Sequence, residues 1–385
     1  MTAIDYAPLA GDTLTDPYPM YRALREQGPV IWSETMGGWA ATGFDQVALA
    51  LSDRHFSVEG RPPQRSGDPT TMVTADPPEH TRLRRLVSKA FTARAVEAIR
   101  PRVQQIVDGL LDDVDGDSMD VAKDFAAHLP IMVIAEMLAV PSDKRETFKR
   151  WTDDGMLGII GRYATDEDRR KMIHSGGQLR DFFVEVIADR RRNPGDDLIS
   201  ALIEAEDEGR AFSDSEVMDN CTLLLTAGNE TTTSLIANGV HQLLRHPEQL
   251  EALRNDPSLI KTAVEEMIRF DPAVHCVTRR VKEPIQVDGA QMETRQVVYA
   301  IIAAGNRDPA QFDRPEEFDI TRDPNLHLGL GDGTHFCLGA PLARAETQIA
   351  VQALVERFSK MKLAGEARYM GHFILRGVTD LPVSI

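Results

Sequence analysis

The segment from Gly331 to Gly339 limits the possible folds more than any other part of this sequence. It reads Gly-Asp-Gly-Thr-His-Phe-Cys-Leu-Gly and is followed by Ala340 to Glu346, which is typical of the start of a helix. Backbone N–H groups and the helix dipole at such a start favour the thiolate form of Cys337. Glycines let the chain turn sharply and let a flat molecule approach the backbone. A fixed thiolate in this loop suits an axial ligand of haem iron. A buried structural cysteine in a Gly-rich helix start is the simpler alternative.

Composition excludes several classes of protein. The chain has 385 residues and a net charge of −17, which argues against nucleic-acid binding and against adhesion to anionic membranes. The three cysteines, Cys221, Cys276 and Cys337, are too widely spaced for a zinc motif or a disulfide framework, and this predicts a reducing compartment, the cytoplasm. Residues 1–14 contain no apolar run and no signal-peptide pattern.

The hydrophobic periodicity predicts a mainly α protein with a minor β region. No linker is long enough to separate domains, so we expect a single domain over residues 1–385. The pattern from residue 77 to residue 205 is mainly helical. A hairpin is predicted over residues 30–42, further short strands over 274–302, and a helix over about 338–358. Residues 53–74 are mostly polar and contain Gly and Pro, so we predict a loop there.

A long central helix is predicted from Ser213, with Glu216 completing a capping box, to about Arg245. It would span roughly 50 Å and is apolar on almost every face, which predicts a place in the interior. Its middle reads Ala-Gly-Asn-Glu-Thr-Thr over residues 227–232. A glycine and a carboxylate are both unfavourable there. Either the helix carries a solvated polar stripe, or this segment forms a widened turn over a reaction chamber.

Together these segments resemble the cytochrome P450 family, with its haem-binding cysteine loop and its oxygen-activating helix. The resemblance extends from Asp16-Pro17-Tyr18 to Leu381-Pro382-Val383. It implies the cytochrome P450 fold, with the long central helix over the haem, and one haem domain without a fused reductase, as in the soluble bacterial members. The cofactor it implies is haem b (iron protoporphyrin IX), with Cys337 as the metal ligand.

The resemblance also assigns roles to individual residues of this chain. Glu230 and Thr231 match the acid and the alcohol that relay protons to dioxygen, and Ala227 and Gly228 match the small residues near the haem face. The residues predicted to contact the haem propionates are His80, Arg84, Arg279 and His335, and Gly339 belongs to the cofactor-binding loop with Cys337.

Two further positions bear on the cysteine side of the fold. The resemblance assigns Glu266, Arg269 and Arg322 to a structural network, although Glu266 and Arg269 alone would match a surface ion pair. Leu330 stands where the family usually has Phe, which predicts a modest change in redox potential and no loss of haem.

The implied activity is that of a haem-thiolate monooxygenase. It would insert one oxygen atom of O2 into a small, mainly apolar substrate by hydroxylation or oxidative dealkylation. Electrons would come from NAD(P)H through a ferredoxin, or a flavodoxin, and its reductase, with a basic patch of Arg82, Arg85 and Arg344 steering an acidic ferredoxin. The candidate chamber residues are Leu224, Val274 to Val277 with His275, Phe373-Ile374, the loop 57–73 and residues 156–160.

Two other functions remain open at this point. A peroxygenase would use peroxide directly, but such relatives usually lack the acid–alcohol pair represented here by Glu230 and Thr231. A non-catalytic haem sensor or a scaffold of the same fold would often lack the motif residues, which this chain retains.

Overall fold

The computed structural model describes residues 4–9, 11–59, 71–156, 165–207 and 209–385. Its helices are α1 Tyr18–Gln27, α2 Phe44–Ser52, α3 Glu79–Ala90, α4 Ala93–Asp112, α5 Leu129–Met137, α6 Arg145–Met156, α7 Asp166–Arg192, α8 Leu198–Glu204, α9 Asp214–Arg245, α10 Pro247–Asn255, α11 Ile260–Phe270, α12 Ile302–Gly305 and α13 Ala340–Arg357. Its strands are β1 Val30–Ser33, β2 Gly38–Ala41, β3 Phe56–Ser57, β4 Ser118–Asp120, β5 Glu206–Asp207, β6 Arg210–Ala211, β7 Val277–Val281, β8 Ile285–Val287, β9 Ala290–Met292, β10 Val297–Ala300, β11 Lys362–Leu363, β12 Arg368–Tyr369, β13 Val378–Asp380 and β14 Pro382–Ser384. The prediction of a mainly α protein with a minor β region is therefore confirmed.

The largest sheet has five strands in the order β1-β2-β10-β7-β3. The predicted hairpin is present, with Trp32 of β1 opposite Trp39 of β2, and β10 runs parallel to β2. The two-residue strand β3 lies inside the segment 53–74 that was predicted as a loop, and it pairs with β7. The other strands form one three-stranded sheet, β11-β14-β4, and three two-stranded pairs.

Helix α9 crosses the interior and packs against α5, α6, α7, α11 and α13. The predicted capping box is present: Ser213 N donates to Glu216 Oε2 at 2.8 Å, and Glu216 N donates to Ser213 Oγ at 3.3 Å. Residues 214–245 are α-helical throughout, so the widened turn predicted at residues 227–232 is absent. The hydroxyl of Thr231 instead donates to the carbonyl oxygen of Ala227, one turn earlier, at 2.7 Å.

A buried ion-pair network fixes the segment before the cysteine loop. Glu266 and Arg269 are 0% exposed, and two hydrogen bonds of 2.7 Å join their side chains. Arg269 also donates to the carbonyl oxygens of Asn306, Pro315 and Glu317, and Arg322 Nε lies 3.3 Å from Glu266 Oε2. This geometry excludes the surface ion pair and agrees with a structural role.

Part of the predicted chamber lies outside the described residues, namely 60–70 of the loop 57–73 and 157–160. None of the described helices combines the length and the apolar character needed to cross a bilayer.

Candidate active site

A cavity of about 300 Å³ lies between the middle of α9 and the loop that leads into α13. Of the predicted site residues, it is lined by Arg84, Ala227, Gly228, Thr231, Arg279, His335, Cys337 and Gly339. Segments more than 100 residues apart in sequence therefore meet around one space. His80 and Glu230 do not line the cavity directly, and each lies beside a residue that does.

The cysteine loop is fixed by its own backbone. Cys337 N donates to the carbonyl oxygen of Leu330 at 2.8 Å, and Gly331 N donates to that of Leu328 at 2.8 Å. Gly331 and Gly333 have φ values of 80° and 63°, the left-handed region that favours glycine. A Cβ at Gly333 would also lie 2.7 Å from the Cα of Ser52.

Gly339 differs from the other loop glycines, because its φ of −76° is accessible to any residue. A Cβ built at Gly339 would lie 3.9 Å from Cys337 Sγ, an ordinary van der Waals contact, so the described residues do not require glycine there. The prediction that this glycine permits a sharp turn is wrong, although its position in the cavity wall is as predicted.

The Cys337 thiol lies at the start of α13, where opposing effects act on its pKa. Burial raises the pKa, while the backbone N–H groups of Gly339 and Ala340 and the charge of Arg84 lower it. The net direction is upward, so the isolated thiol is neutral at physiological pH. A bound metal cation would supply the missing positive charge and hold the sulfur as a thiolate.

Four nitrogen-bearing side chains gather at one side of the cavity. The rings of His80 and His335 lie with their centroids 4.2 Å apart, and Arg84 and Arg279 are close enough to lower the pKa of His335. Burial is the largest cause of that shift, which brings the pKa of His335 to about 4. Burial also lowers the pKa of Arg279 to about 10, so Arg279 stays cationic at neutral pH, and burial lowers the pKa of Arg84 as well. Neither ring nitrogen of His80 has a hydrogen-bond partner among the described residues.

This chemistry fits a flat ligand with two carboxylates. The two guanidinium groups and the unsatisfied histidine nitrogens are donors for carboxylates. In the α9 part of the cavity wall, Gly228 leaves open space, since a Cβ built there meets no heavy atom within 4 Å. The residues present therefore fit haem: a sulfur ligand, donors for two propionates and small residues over the face.

The acid and the alcohol of α9 point in different directions. Thr231 lines the cavity, whereas Glu230 packs on the side of the helix that faces α6. Burial raises the pKa of Glu230, and the nearby carboxylate of Asp153 raises it further. Lys149 and a hydrogen bond with Ser234 act in the opposite direction. Glu230 is therefore a better proton donor near neutral pH than an exposed glutamate.

The remaining described walls are mostly apolar. Side chains that the sequence did not indicate include Phe91, Pro130, Ile134 and Leu342. Met72 of the loop 57–73, Leu224 and Val277 line the cavity as predicted. His275 does not, because it is 2% exposed and lies against Tyr18, Tyr21 and Asp271. Phe373 lies at a separate small cavity with His275.

Sequence reasoning also missed Glu346, which lines the cavity from α13 and is 3% exposed. The sequence pattern could have identified this residue. Leu342, Ala345 and Ile349 mark the buried face of the helix at three- and four-residue spacing, and Glu346 lies on the same face. An acid on a buried apolar face is unusual and indicates function.

The predicted basic patch carries less free charge than the sequence suggests. Arg82 is paired with both Glu79 and Glu216, and its side chain is 11% exposed. Arg344 makes two hydrogen bonds of 2.7 and 2.8 Å to Glu265. Two of the three arginines are therefore neutralised by carboxylates from the same molecule.

The comparisons with known proteins agree on one family. The family model described as Cytochrome P450 matches residues 41–367. Cytochrome P450 monooxygenase PikC of Streptomyces venezuelae is 39% identical over 99% of this chain and 94% of its own. The 6-deoxyerythronolide B hydroxylase of Saccharopolyspora erythraea is 40% identical over 96% of each chain. The crystal structure of CYP109E1 from Bacillus megaterium in complex with testosterone superposes with a TM-score of 0.89, at 33% identity, over 96% of this chain and 99% of that one.

The family model covers most of the chain and the relatives match it over nearly its whole length, so the chain belongs to the cytochrome P450 family. It is a cytochrome P450 monooxygenase, with the haem-thiolate chemistry that the family implies.

Proposed function

We propose that this monooxygenase inserts one oxygen atom of O2 into a small, mainly apolar organic substrate, by hydroxylation or oxidative dealkylation. The observation that carries the proposal is the cavity itself, which has Cys337 and Thr231 in its walls and mostly apolar side chains around them. The cationic side chains in its described walls are Arg84 and Arg279, and both are predicted to contact the haem propionates. No described cation is left over to bind an anionic substrate.

The cofactor in this proposal is haem b. Cys337 would hold the iron through its sulfur, and His80, Arg84, Arg279 and His335 would bind the two propionates. Bound there, haem supplies the activation of dioxygen and the oxygen transfer. Extraction of the pigment into alkaline pyridine identifies haem b by its reduced spectrum, and a different haem type would contradict this part.

The protein's own residues handle protons and water. Burial and the carboxylate of Asp153 raise the pKa of Glu230, which favours its protonated form. Thr231 presents its hydroxyl to the cavity while donating its proton to Ala227 O, which leaves its lone pairs free to accept from water. A proton passing from Glu230 towards the cavity would use this hydroxyl. The apolar walls limit the number of waters that reach the site.

Electrons come, in this proposal, from NAD(P)H through a ferredoxin, or a flavodoxin, and its reductase. Arg82 and Arg344 are paired with carboxylates of the same molecule, which reduces the positive charge that they can offer to a partner. Charge reversal at Arg85 should lower the electron-transfer rate at low salt, and an unchanged rate would remove this position from the docking surface.

Isotope labelling tests the activity directly. The substrates to test are compounds that shift the Soret band on binding. Their turnover with NADH, surrogate ferredoxin and reductase under ¹⁸O2 should yield products with one labelled oxygen atom. Apolar compounds should dominate those hits, as in the testosterone complex of the similar CYP109E1. Products labelled from water, or turnover driven faster by hydrogen peroxide, would contradict the proposal.

A further inference from the structure

Glu346 is the one carboxyl group among the described residues that line the cavity. It lies on α13, nine residues after Cys337, and is 3% exposed. Its Oε2 atom has no hydrogen-bond partner among the described residues. An unsatisfied carboxyl oxygen in a buried wall is costly, and the roles assigned above to the other site residues make no use of it.

The protonation of Glu346 is governed by burial alone. Burial raises the pKa of its carboxyl group from 4.5 to about 8, and no described charged group contributes to this shift. The other described titratable or charged side chains of the cavity wall are Arg84, Arg279, His335 and Cys337. The pKa of Arg279 is about 10 and that of His335 is about 4, so both lie away from the range around pH 8 in which Glu346 changes charge. Burial lowers the pKa of Arg84, and in the haem-loaded protein the sulfur of Cys337 would be bound to the iron.

We propose that Glu346 is a redox-linked proton-binding residue, which takes up one proton from solvent when the bound haem receives an electron. The inference rests on the proposed function, because it requires haem in this cavity. An external reductant supplies the electron and ferric iron becomes ferrous, while the carboxylate of Glu346 gains a proton and forms one O–H bond. The physical reason is electrostatic: the added electron makes the site more negative, and a nearby buried carboxylate then holds its proton more tightly.

The consequence is a reduction potential that depends on pH only on the alkaline side. Below about pH 7 Glu346 is protonated in both redox states, so the potential stays constant. Above its pKa in the oxidised protein, reduction must be accompanied by proton uptake. The equilibrium constant for reduction should then fall by up to tenfold per pH unit, about 59 mV for a one-electron couple.

Spectroelectrochemical titration of the haem-loaded protein between pH 6 and 9 tests the inference. The wild type should show the alkaline fall, and Glu346→Gln, which keeps the shape without a titrating proton, should be flat. Glu356→Gln is the matched control, because Glu356 is an exposed carboxylate on the same helix and its loss should leave the fall intact. A flat wild type, or an equal fall in Glu346→Gln, would overturn the proposal.

A second measurement does not depend on the variant retaining haem. When the wild type is reduced in weakly buffered solution near pH 8.5, the protein should take up protons from the solution, and an indicator dye detects their loss. Reduction without proton uptake would overturn the inference. The carbon-monoxide spectrum of the reduced sample separates the two possible failures. If the sample shows the red-shifted band of a thiolate-ligated haem but its reduction potential does not depend on pH, the inference fails and the proposed function stands. A sample without that band contradicts the proposed function and the inference together.

Discussion

Thr231 is held in one orientation by its own helix, through the 2.7 Å hydrogen bond to Ala227 O. Thr231→Ala removes the hydroxyl that faces the cavity but leaves the predicted haem contacts in place. We expect the ratio of product to NADH consumed to fall on the order of tenfold or more, with hydrogen peroxide formed instead. The control is Thr226→Ala, because the Thr226 hydroxyl makes the same type of bond, at 2.9 Å to Thr222 O, without lining the cavity. Normal coupling in Thr231→Ala would remove this residue from the proton route.

Glu230 takes its protonation state partly from α6. Asp153 and Lys149 form a 2.7 Å ion pair there and shift the pKa of Glu230 in opposite directions. Asp153→Asn should therefore lower the pKa of Glu230 and move the alkaline limit of coupled turnover to lower pH, whereas Lys149→Gln should move it to higher pH.

The pH profile of product formed per NADH measures both shifts. Asp154→Asn is the matched control, because it removes the same charge one residue further along α6, where the carboxylate accepts from Ser175 of α7. Shifts of the same sign in Asp153→Asn and Lys149→Gln would contradict this account of Glu230.

Single-residue predictions from the sequence succeeded where the local pattern restricts the chemistry. Cys337, Thr231 and Gly228 were identified from spacing and motif, and each lines the cavity. Pairing between distant segments left no local signal, so the contacts of Arg82 with Glu216 and of Arg344 with Glu265 were missed. The roles of the site residues in turnover, and the effect of Leu330 on the redox potential, stay predictions.

Among the elements, α11 is anchored by a buried ion pair between Glu266 and Arg269. Glu266→Gln leaves the guanidinium of Arg269 buried without its counter-charge, which should lower the free energy of unfolding by about 3–5 kcal/mol. Denaturant unfolding of the purified protein measures this change. Asp112→Asn is the control, because it breaks an exposed ion pair with Arg357 and should cost at most about 1 kcal/mol. Equal effects of the two substitutions would contradict a locking role for the buried pair.

Elements with a strong periodic pattern were predicted closely, including α9 with its Ser213 cap and the hairpin of β1 and β2. The widened turn in α9 was wrong, because the Thr231 hydroxyl binds Ala227 O without displacing the α-helical backbone. Strand β3 was not predicted, since its two residues become a strand only by pairing with Val281 and Arg280 of β7, more than 200 residues away.

For the whole molecule, the net charge of −17 includes carboxyl groups whose ionisation destabilises the folded state. The pKa of Glu346 rises from 4.5 to about 8 on folding, so the folded state binds more protons than the unfolded state between these values. The contribution of Glu346 to the free energy of unfolding should therefore decrease as pH rises through this window, at most by about 1.4 kcal/mol per pH unit.

The difference between Glu346→Gln and the wild type isolates this contribution from the other carboxylates. In urea unfolding of the haem-free protein, the variant should gain stability relative to the wild type from pH 5 to pH 8. Parallel curves over that range would show that Glu346 does not titrate as described.

The organisation as one haem domain without a fused reductase, and the cytoplasmic location, stay predictions. The relatives match over nearly the whole chain, and the cavity draws its walls from α3, α5, α9, β7 and α13. A site assembled from elements so far apart in sequence depends on the complete fold, which explains why motifs alone located its centre but not its full lining.

The bond between Cys337 sulfur and haem iron is the claim on which the other assignments depend. The absorbance spectrum of the reduced, carbon-monoxide-treated protein measures it most directly. We predict a red-shifted Soret band in the haem-loaded wild type and its loss in Cys337→Ser. Absence of the band from the wild type, or its persistence in Cys337→Ser, would contradict the account.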